Sequence, residues 1–445
     1  MENAQMYDDY TTDAADTKNK NLFEEYIDFA EFGERVTSNI FENPHVKEVM
    51  KTEQFDLIIV EVLMSESLLG LGEYFKAPVV AVSTFGTISF IDYLVGNVSP
   101  LSYIPHMSLP YKNPMSVWQR CVNVISELID NFLVNYFILP SQEKVYRKYF
   151  PTAKLSLNEA RKNVSLVMIN DHFTLRQPRP FVPNMIEVGG MHIKQKPEPL
   201  EDDLQEFLDN AKEGVIYFSM GSNVKSKDLP KEKLRILLDT FRELKIKVLW
   251  KFELEELPNK PDNVLIRKWF NQPSILAHPN VKLFISHGGY LSTTETIFHA
   301  KPILGIPRMA DQFMNVKNAI HAGFALSVRL EDMTRESFKA TILELWQNPK
   351  YTQAVRRLSK RYRDQPLTPL QKALFWTEYV LRHDGAVHMR NAGQDLSFVA
   401  YNNIDVYLLL FLVFVIVCSL LIYLVKLFCE IFSKLFLKQQ KRKPE

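Results

Sequence analysis

A strand-like segment that runs directly into His287-Gly288-Gly289 is the clearest candidate for chemistry in this chain. A helix is expected to open after it, with Ser292 as N-cap and Glu295 completing a capping box. The free N–H groups and dipole of that helix start would bind an anion. The glycines would let a phosphate approach the backbone, and His287 could donate a hydrogen bond to it. The pattern predicts a diphosphate site at the carboxyl end of a parallel strand, although a plain tight turn would also explain it.

Residues on both sides of this segment occur at the spacing of a known motif: Trp269, Gln272, His287, Gly289, Ser292, Glu295, Asp311 and Gln312. This set resembles the signature motif of the UDP-glycosyltransferases, and the chain is most similar to the membrane-anchored, detoxifying members of insects and vertebrates. Other matching stretches are FDLIIVE (55–61), VSTFGT (82–87), EVGG (187–190) and YRDQP (362–366).

The resemblance implies a role for each matching residue. Trp269 would stack on uracil, as a flat indole can. The ribose would be bound by Gln272 and Glu295, the diphosphate by His287, Gly289 and Ser292, and the transferred sugar by Asp311 and Gln312. Ser222, in the turn 220–223, is similar to a second phosphate-side residue, and a plain turn explains it equally well.

Glu61 matches the family carboxylate that orients a catalytic histidine, whereas the residues alone favour a strand-end carboxylate in solvent. No histidine precedes His45, which lies in a helix-like context, so no catalytic base is assigned. The family's signal peptide, first strand and base loop are all unmatched, which predicts an N-terminally truncated chain.

The donor motif also departs from the family at Asn271, at Ala300-Lys301 and at Arg308-Met309-Ala310. Arg308 is expected to point to solvent rather than to alter the choice of sugar.

Short apolar runs alternate with helical segments, as in parallel sheets covered on both faces. The predicted strands are 55–62, 77–83, 165–169, 215–219, 248–252, 265–269, 281–286, 302–306 and 325–328. Helices are predicted at 117–139, ending at Pro140, at 231–244 and at 371–382. The resemblance implies that the last of them packs back across the first domain. The apolar residues of the first helix are Cys121, Ile125, Leu128, Phe132 and Tyr136, at a helical period.

The alternation predicts an α/β fold class, and the resemblance implies that it is of the GT-B type. Two Rossmann-like domains would then face each other, the first incomplete, and one transmembrane helix would follow. The predicted parts are a loop start (1–20), an acceptor-binding domain (21–189), a UDP-sugar donor domain with helices crossing back (190–395), a transmembrane helix (406–425) and a basic tail (426–445).

The segment 406–425 lacks charge and is long enough to cross a bilayer as a helix. Its basic flank predicts a cytosolic tail. Lys441 and Lys443 resemble a dilysine retrieval signal, or form an ordinary basic flank. Sequons at Asn97 and Asn163 weakly favour a lumenal body. We therefore predict a single-pass protein of the endoplasmic reticulum membrane, although residues 1–20 contain no signal peptide.

Composition limits the alternatives. The net charge of +1 gives no support to nucleic-acid binding, and no metal-ligand spacing is found. The body contains one cysteine, Cys121, and so cannot form an internal disulfide.

The predicted function is inverting transfer of a hexose, glucose or glucuronate, from a UDP-sugar to the hydroxyl of a small lipophilic acceptor. No cofactor is expected, because the UDP-sugar is a substrate, and the oligomeric state stays open. The alternative is a catalytically impaired, UDP-sugar-binding membrane protein that lacks the histidine base. A dinucleotide oxidoreductase would need a Gly-x-Gly-x-x-Gly motif, which is absent. A tail-anchored protein with a cytosolic body is a third alternative.

Overall fold

The structure, a computed structural model, describes residues 22–109, 111–222, 224–308 and 311–440. The predicted loop at 1–20, the residues Lys441, Arg442 and Lys443, and Asn223, Met309 and Ala310 lie outside these ranges. The described chain contains two all-parallel sheets flanked by helices, as predicted.

The first sheet has four strands in the order β1-β2-β3-β4. They span Ile58–Glu61 (β1), Val79–Ser83 (β2), Val164–Ile169 (β3) and Met185–Glu187 (β4). The short β4 has no counterpart among the predicted strands. Successive side chains of these strands point to opposite faces of the sheet, and helices pack against both faces. The strand sequences are therefore nearly continuous apolar runs.

The second sheet has six strands in the order β10-β9-β8-β5-β6-β7. They span Val215–Ser219 (β5), Lys247–Lys251 (β6), Val264–Arg267 (β7), Val281–Ser286 (β8), Ile303–Gly305 (β9) and Ala325–Ser327 (β10). β6 pairs with one side of β5, and β7 pairs with the far side of β6. The next strand in the chain, β8, pairs with the opposite side of β5. The strand order therefore reverses between β5 and β8, and open α/β sheets bind ligands at the carboxyl edge of such a point.

Helices flank both sheets in the unit that ends at Arg390. They are Leu22–Glu42 (α1), Pro44–Thr52 (α2), Gly70–Phe75 (α3), Ser89–Asp92 (α4), Val117–Leu133 (α5), Leu139–Tyr149 (α6), Leu157–Lys162 (α7), Asp202–Asp209 (α8), Lys231–Leu244 (α9), Gln272–Ala277 (α10), Tyr290–Phe298 (α11), Gln312–His321 (α12), Arg335–Gln347 (α13), Pro349–Arg363 (α14) and Pro369–Arg382 (α15). Beyond Arg390 follow Phe398–Tyr401 (α16) and Ile404–Gln440 (α17). Ala373 and Val380 of α15 pack in one cluster with Val80, Leu166 and Ile186 of the first sheet.

The prediction that Pro140 ends the long helix is wrong. One π turn, Val134–Ile138, joins α5 to α6, and Pro140 lies in the first turn of α6. The Leu139 N–H donates to the Val134 carbonyl, five residues back, so the backbone hydrogen bonds change to the π pattern directly before Pro140. Such an irregular turn accommodates a residue that lacks an N–H. The helical course therefore continues to Tyr149.

The apolar stripe of α5 faces outward. Ile125, Leu128 and Phe132 are exposed, whereas Asn123 and Glu127 are buried. The Asn123 amide donates hydrogen bonds to the carbonyls of Leu101 and Ile104 (2.8 and 2.9 Å), and this requirement turns the polar face inward.

Residues beyond Arg390 form a second compact unit. Its helix α17 contains the predicted segment 406–425 and is long and apolar enough, over Ile404–Leu435, to cross a membrane. The stretch Val117–Tyr149 meets the same length and composition criterion.

Candidate functional site

Two glycine turns meet at the carboxyl edge of the six-stranded sheet, where its strand order reverses. The strands β5 and β8 are hydrogen-bonded neighbours that end at the paired residues Ser219 and Ser286. After β5 comes the turn Met220-Gly221-Ser222, and after β8 comes His287-Gly288-Gly289. Gly221 and Gly288 both have left-handed backbones, with φ of 85° and 84°. These conformations favour glycine, so each of the two adjacent turns has a residue without a side chain where the backbone bends.

His287 is enclosed by these turns. A Cβ on Gly221 would lie 2.5 Å from His287 Cε1, and one on Gly289 would lie 2.6 Å from His287 Nε2. Burial, and then the charge of Lys251, lowers the pKa of His287 to about 4, so the imidazole is neutral near pH 7. Its Nδ1 is buried and has no hydrogen-bond partner among the described residues. An unpaired buried nitrogen is costly, and a phosphate oxygen at this turn would satisfy one ring nitrogen.

The helix α11 starts earlier than predicted. It begins at Tyr290 with Gly289 as N-cap, and no side chain caps it. The predicted N-cap at Ser292 and the capping box with Glu295 are therefore wrong. The left-handed Gly288 turns the chain so sharply that the helix follows at once, and the N–H groups of its first turn open directly beside His287. An anion site at this helix start remains a prediction.

Ser292 and Glu295 do not cap the helix and instead accept hydrogen bonds from Gln272. Gln272 Nε2 donates hydrogen bonds to Ser292 Oγ (3.0 Å) and to Glu295 Oε2 (2.7 Å). The other oxygen of Glu295, which is buried, lies 3.4 Å from His192 Nε2. The structure thus places the two predicted ribose-binding residues in direct contact.

Trp269 stands at the rim of this edge and is 68% exposed. Lys251 Nζ lies 5.9 Å from the centre of its ring. The same ammonium group donates to the Gly221 carbonyl and to Glu253 Oε1, both at 2.8 Å. A largely uncovered indole beside the glycine turns is free to stack on a planar base.

Asp311 and Gln312 lie at the start of α12. Asn315 Nδ2 donates to Asp311 Oδ2 (2.6 Å) and to the Gly288 carbonyl (3.1 Å), which ties the predicted sugar-binding pair to the second glycine turn. Arg308 Nη1 pairs with Glu331 Oε1 at 2.8 Å in an exposed ion pair. Whether Arg308 influences the choice of sugar stays a prediction.

Ser222 is exposed in the first turn. Glu61 is exposed at the end of β1, where it accepts a hydrogen bond from Thr84 Oγ1 (2.7 Å). His45 is exposed at the start of α2, away from the site. The structure therefore brings Glu61 to the carboxyl edge of the first sheet but pairs it with a threonine.

A cavity of about 440 Å³ opens between the first-domain loops, α5 and α12. Its wall includes Ile104, His106, Glu127, Asp130 and, from α12, Met314 and Asn318. Burial raises the pKa of Asp130 to about 6 and lowers the pKa of His106, whose Nε2 lies 3.8 Å from Asp130 Oδ2. The cavity combines apolar and carboxylate surfaces next to the helix that carries Gln312.

Comparison with known proteins identifies the family. A family model described as "UDP-glucoronosyl and UDP-glucosyl transferase" matches residues 2–443. The chain belongs to this family. It is 36% identical over 392 residues to UDP-glucosyltransferase 2 of Dactylopius coccus, covering 87% of this chain and 75% of that protein. It is 31% identical over 415 residues to UDP-glucuronosyltransferase 2C1 of Oryctolagus cuniculus, covering 92% and 81%.

Solved structures agree on the fold. The spinosyn forosaminyltransferase SpnP matches with a TM-score of 0.54 and 13% identity, over 80% of this chain and 84% of that one. The glycotransferase of kitacinnamycin matches with a TM-score of 0.53 and 14% identity, over 81% and 83%. The transferase therefore has the predicted GT-B architecture.

Three residues of the transferase's site were not predicted: Lys251, His192 and Asn315. Lys251 ends a strand at the same edge as the glycine turns, and this position was a usable signal. His192 has no comparable signal, because its partner Glu295 lies in a distant segment. Asn315 lies one helical turn after Asp311, but its other partner, the Gly288 carbonyl, is on a different element. Among the described residues, no group of three or more His, Cys, Asp or Glu side chains could hold a metal ion.

Proposed function

We propose that this transferase moves a hexose, glucose or glucuronate, from a UDP-sugar to the hydroxyl of a small lipophilic acceptor, with inversion at the anomeric carbon. The proposal rests on one observation: the motif residues lie together at the carboxyl edge of the six-stranded sheet, where the strand order reverses between β5 and β8. There His287, with an unpaired buried nitrogen, is enclosed by two glycine turns at a helix start.

The donor would lie along this edge. Uracil would stack on Trp269, and the ribose hydroxyls would donate to Glu295, joining or displacing Gln272. The diphosphate would meet the first turn of α11 and the imidazole of His287, with Ser222 on the opposite turn. The sugar would then reach Asp311 and Gln312. The helix dipole and Lys251 would stabilise the negative charge that UDP gains as it leaves.

The acceptor would occupy the cavity beside α12. In a single displacement, its hydroxyl oxygen forms a bond to the anomeric carbon while the bond to the UDP oxygen breaks on the opposite face. The hydroxyl loses its proton during this step and needs a proton acceptor. The membership of α12 in both sites supports this placement, because Met314 lines the cavity and Gln312 begins the same helix.

One observation favours a second candidate, a UDP-sugar-binding protein without transferase turnover. Glu61, the residue that matches the family's orienting carboxylate, is bonded to Thr84 and not to a histidine. The two candidates share the donor site and differ only in the proton acceptor.

We further propose that α17 spans the endoplasmic reticulum membrane and leaves the catalytic body in the lumen. Glycosylation of Asn97 and Asn163 in cells would support this orientation. A body that stays unmodified at both sequons and is digested by protease added from the cytosolic side would contradict it.

The deciding experiment uses the full-length chain in detergent. UDP binding is measured by calorimetry, and transfer from UDP-glucose and UDP-glucuronate is measured on a panel of phenols. Binding with transfer supports the first candidate, and binding without transfer supports the second. No binding of UDP would contradict both.

A further inference from the structure

A carboxylate from the first sheet reaches the helix start of the candidate donor site. Asp171 follows β3, and its Oδ1 accepts a hydrogen bond of 2.9 Å from the hydroxyl of Tyr290. Tyr290 is the first residue of α11. The contact joins residues 119 positions apart and links the four-stranded sheet to the six-stranded one.

Asp171 is held firmly in place. Its carboxylate is 4% exposed and also accepts from the His172 N–H (2.8 Å). Its carbonyl accepts from the Gly189 N–H (3.0 Å), and a Cβ on Gly189 would lie 2.5 Å from that oxygen. The carboxylate is therefore a fixed acceptor rather than a mobile surface group.

Arg176 completes the cluster. Its Nε lies 3.4 Å from Asp171 Oδ2, its guanidinium lies 4.8 Å from the ring centre of Tyr290, and its Nη2 donates to the Phe85 carbonyl (2.6 Å). Burial alone would lower the pKa of Arg176, but Asp171, Tyr290 and Asp311 outweigh it and raise that pKa. The guanidinium thus contacts both members of the Asp171–Tyr290 pair, and the charge of Asp311, a predicted sugar-binding residue, also acts on it.

We propose that Asp171 is a positioning residue for the donor: through its hydrogen bond from Tyr290 and its pairing with Arg176, it sets the position of the first turn of α11. This inference rests on the proposed function, because it assumes that the diphosphate binds at that turn. Displacement of a helix start by a fraction of an ångström moves its N–H groups away from the best distances and angles for hydrogen bonds to a ligand. Donor affinity then depends on a residue that does not touch the donor.

The test compares the wild type with Tyr290→Phe, Asp171→Asn, Asp171→Ala and the Asp171→Ala/Tyr290→Phe double variant, all as full-length chains. Tyr351→Phe is the matched control, since Tyr351 also donates to a carboxylate, Glu344 (3.1 Å), within the helix pair α13 and α14. The measurements are UDP affinity by calorimetry, KM and kcat for UDP-glucose, and the melting temperature.

Tyr290→Phe should weaken UDP binding and raise donor KM about fivefold, with a smaller change in kcat, the effect of one lost hydrogen bond. Asp171→Asn retains an acceptor oxygen and should restore much of the affinity that Asp171→Ala loses. The double variant should be no weaker than Asp171→Ala, because both changes break one contact. Tyr351→Phe should leave UDP affinity unchanged even if it lowers the melting temperature.

The inference is overturned if the wild type binds UDP and Tyr290→Phe binds it equally well, or if the two single effects add in the double variant. If the wild type does not bind UDP, the proposed function is refuted, and the inference is refuted with it because it assumes that the donor binds. The two failures are therefore distinguished by the wild-type measurement.

Discussion

Replacement of Glu295 by alanine gives the most informative perturbation of the donor site. Glu295 is 7% exposed, and its two oxygens face Gln272 Nε2 (2.7 Å) and His192 Nε2 (3.4 Å). If the ribose hydroxyls donate to this carboxylate, the variant loses charge-assisted hydrogen bonds that contribute about 1.5–3 kcal/mol. A weaker opposing effect is the removal of repulsion between the carboxylate and the diphosphate. It amounts to about 0.5 kcal/mol at roughly 8 Å in a water-like medium.

The net expectation is a loss of about 1–2.5 kcal/mol, or about 5- to 70-fold in the dissociation constant of UDP. Calorimetry on Glu295→Ala measures this loss directly. Uridine lacks the diphosphate and so lacks the opposing repulsion, and its affinity should fall somewhat more than that of UDP. Glu295→Gln keeps the shape of the side chain and should lie between the wild type and the alanine variant.

A ligand without ribose hydroxyls isolates the cause. The 2′,3′-dideoxy analogue of UDP should bind the wild type and Glu295→Ala with similar affinity. Glu243→Ala, which removes a carboxylate that bonds Arg335 on the same domain, serves as the charge control and should not alter UDP binding. Unchanged UDP affinity in Glu295→Ala, or an equal loss for the dideoxy analogue, would refute the placement of Glu295 at the ribose.

Three other perturbations test neighbouring parts of the site. Trp269→Ala should weaken uridine binding by about 1–3 kcal/mol, the usual contribution of base stacking. The melting temperature should hardly change, because the ring is 68% exposed; a large drop would mean that Trp269 is a core residue. Gly221→Ala should abolish UDP binding, since the new Cβ would lie 2.5 Å from His287 Cε1. Gly323→Ala, at a similar φ of 82° but with its nearest neighbour 3.6 Å away, carries the same backbone strain and should still bind UDP. The low pKa of His287, about 4 against an ordinary 6.5, means that the folded imidazole resists a proton that the unfolded one accepts. Stability should therefore fall as the pH drops from about 6.5 to about 4, by up to about 1.4 kcal/mol per pH unit for each such histidine. His287→Gln should fall less steeply than the wild type in thermal melts, whereas parallel profiles would contradict the buried, neutral state. His172 and His299, whose pKa values are also lowered to about 4, remain in both proteins and cancel in the comparison.

Much of the fold could be predicted from local patterns in the sequence. The strands β5 and β8 and the helix α9 have the predicted bounds, and most other strands differ by one to three residues. Parallel strands buried on both faces need continuous apolar runs, and such runs are visible without any knowledge of tertiary contacts. The donor motif was visible for a related reason. Its residues lie within 269–312, where a strand, a turn and a helix follow one another and sequence spacing translates into spatial spacing.

The errors arose where long-range contacts outweigh local preference. Pro140 was expected to end a helix, but a π turn directly precedes it and the helical course continues to Tyr149. Ser292 was expected to cap α11, but its hydroxyl instead accepts a hydrogen bond from Gln272, twenty residues away. The period of α5 identified its two faces correctly. The bonds from Asn123 to a distant loop decided which face is buried.

The sequence by itself determined the family, the parallel sheets and the apolar C-terminal helix, because each of these depends on residues close together in the chain. It also supplied the candidate UDP-sugar-binding residues, whose roles stay predictions. Only the tertiary structure decided which polar groups meet: Tyr290 with Asp171, Glu295 with His192, Lys251 with Gly221 and Glu61 with Thr84. The physical reason is that a hydrogen bond requires its two atoms within about 3 Å. For groups on different elements, that distance is set by the packing of whole helices and sheets. It therefore cannot be predicted from the spacing of residues along the chain.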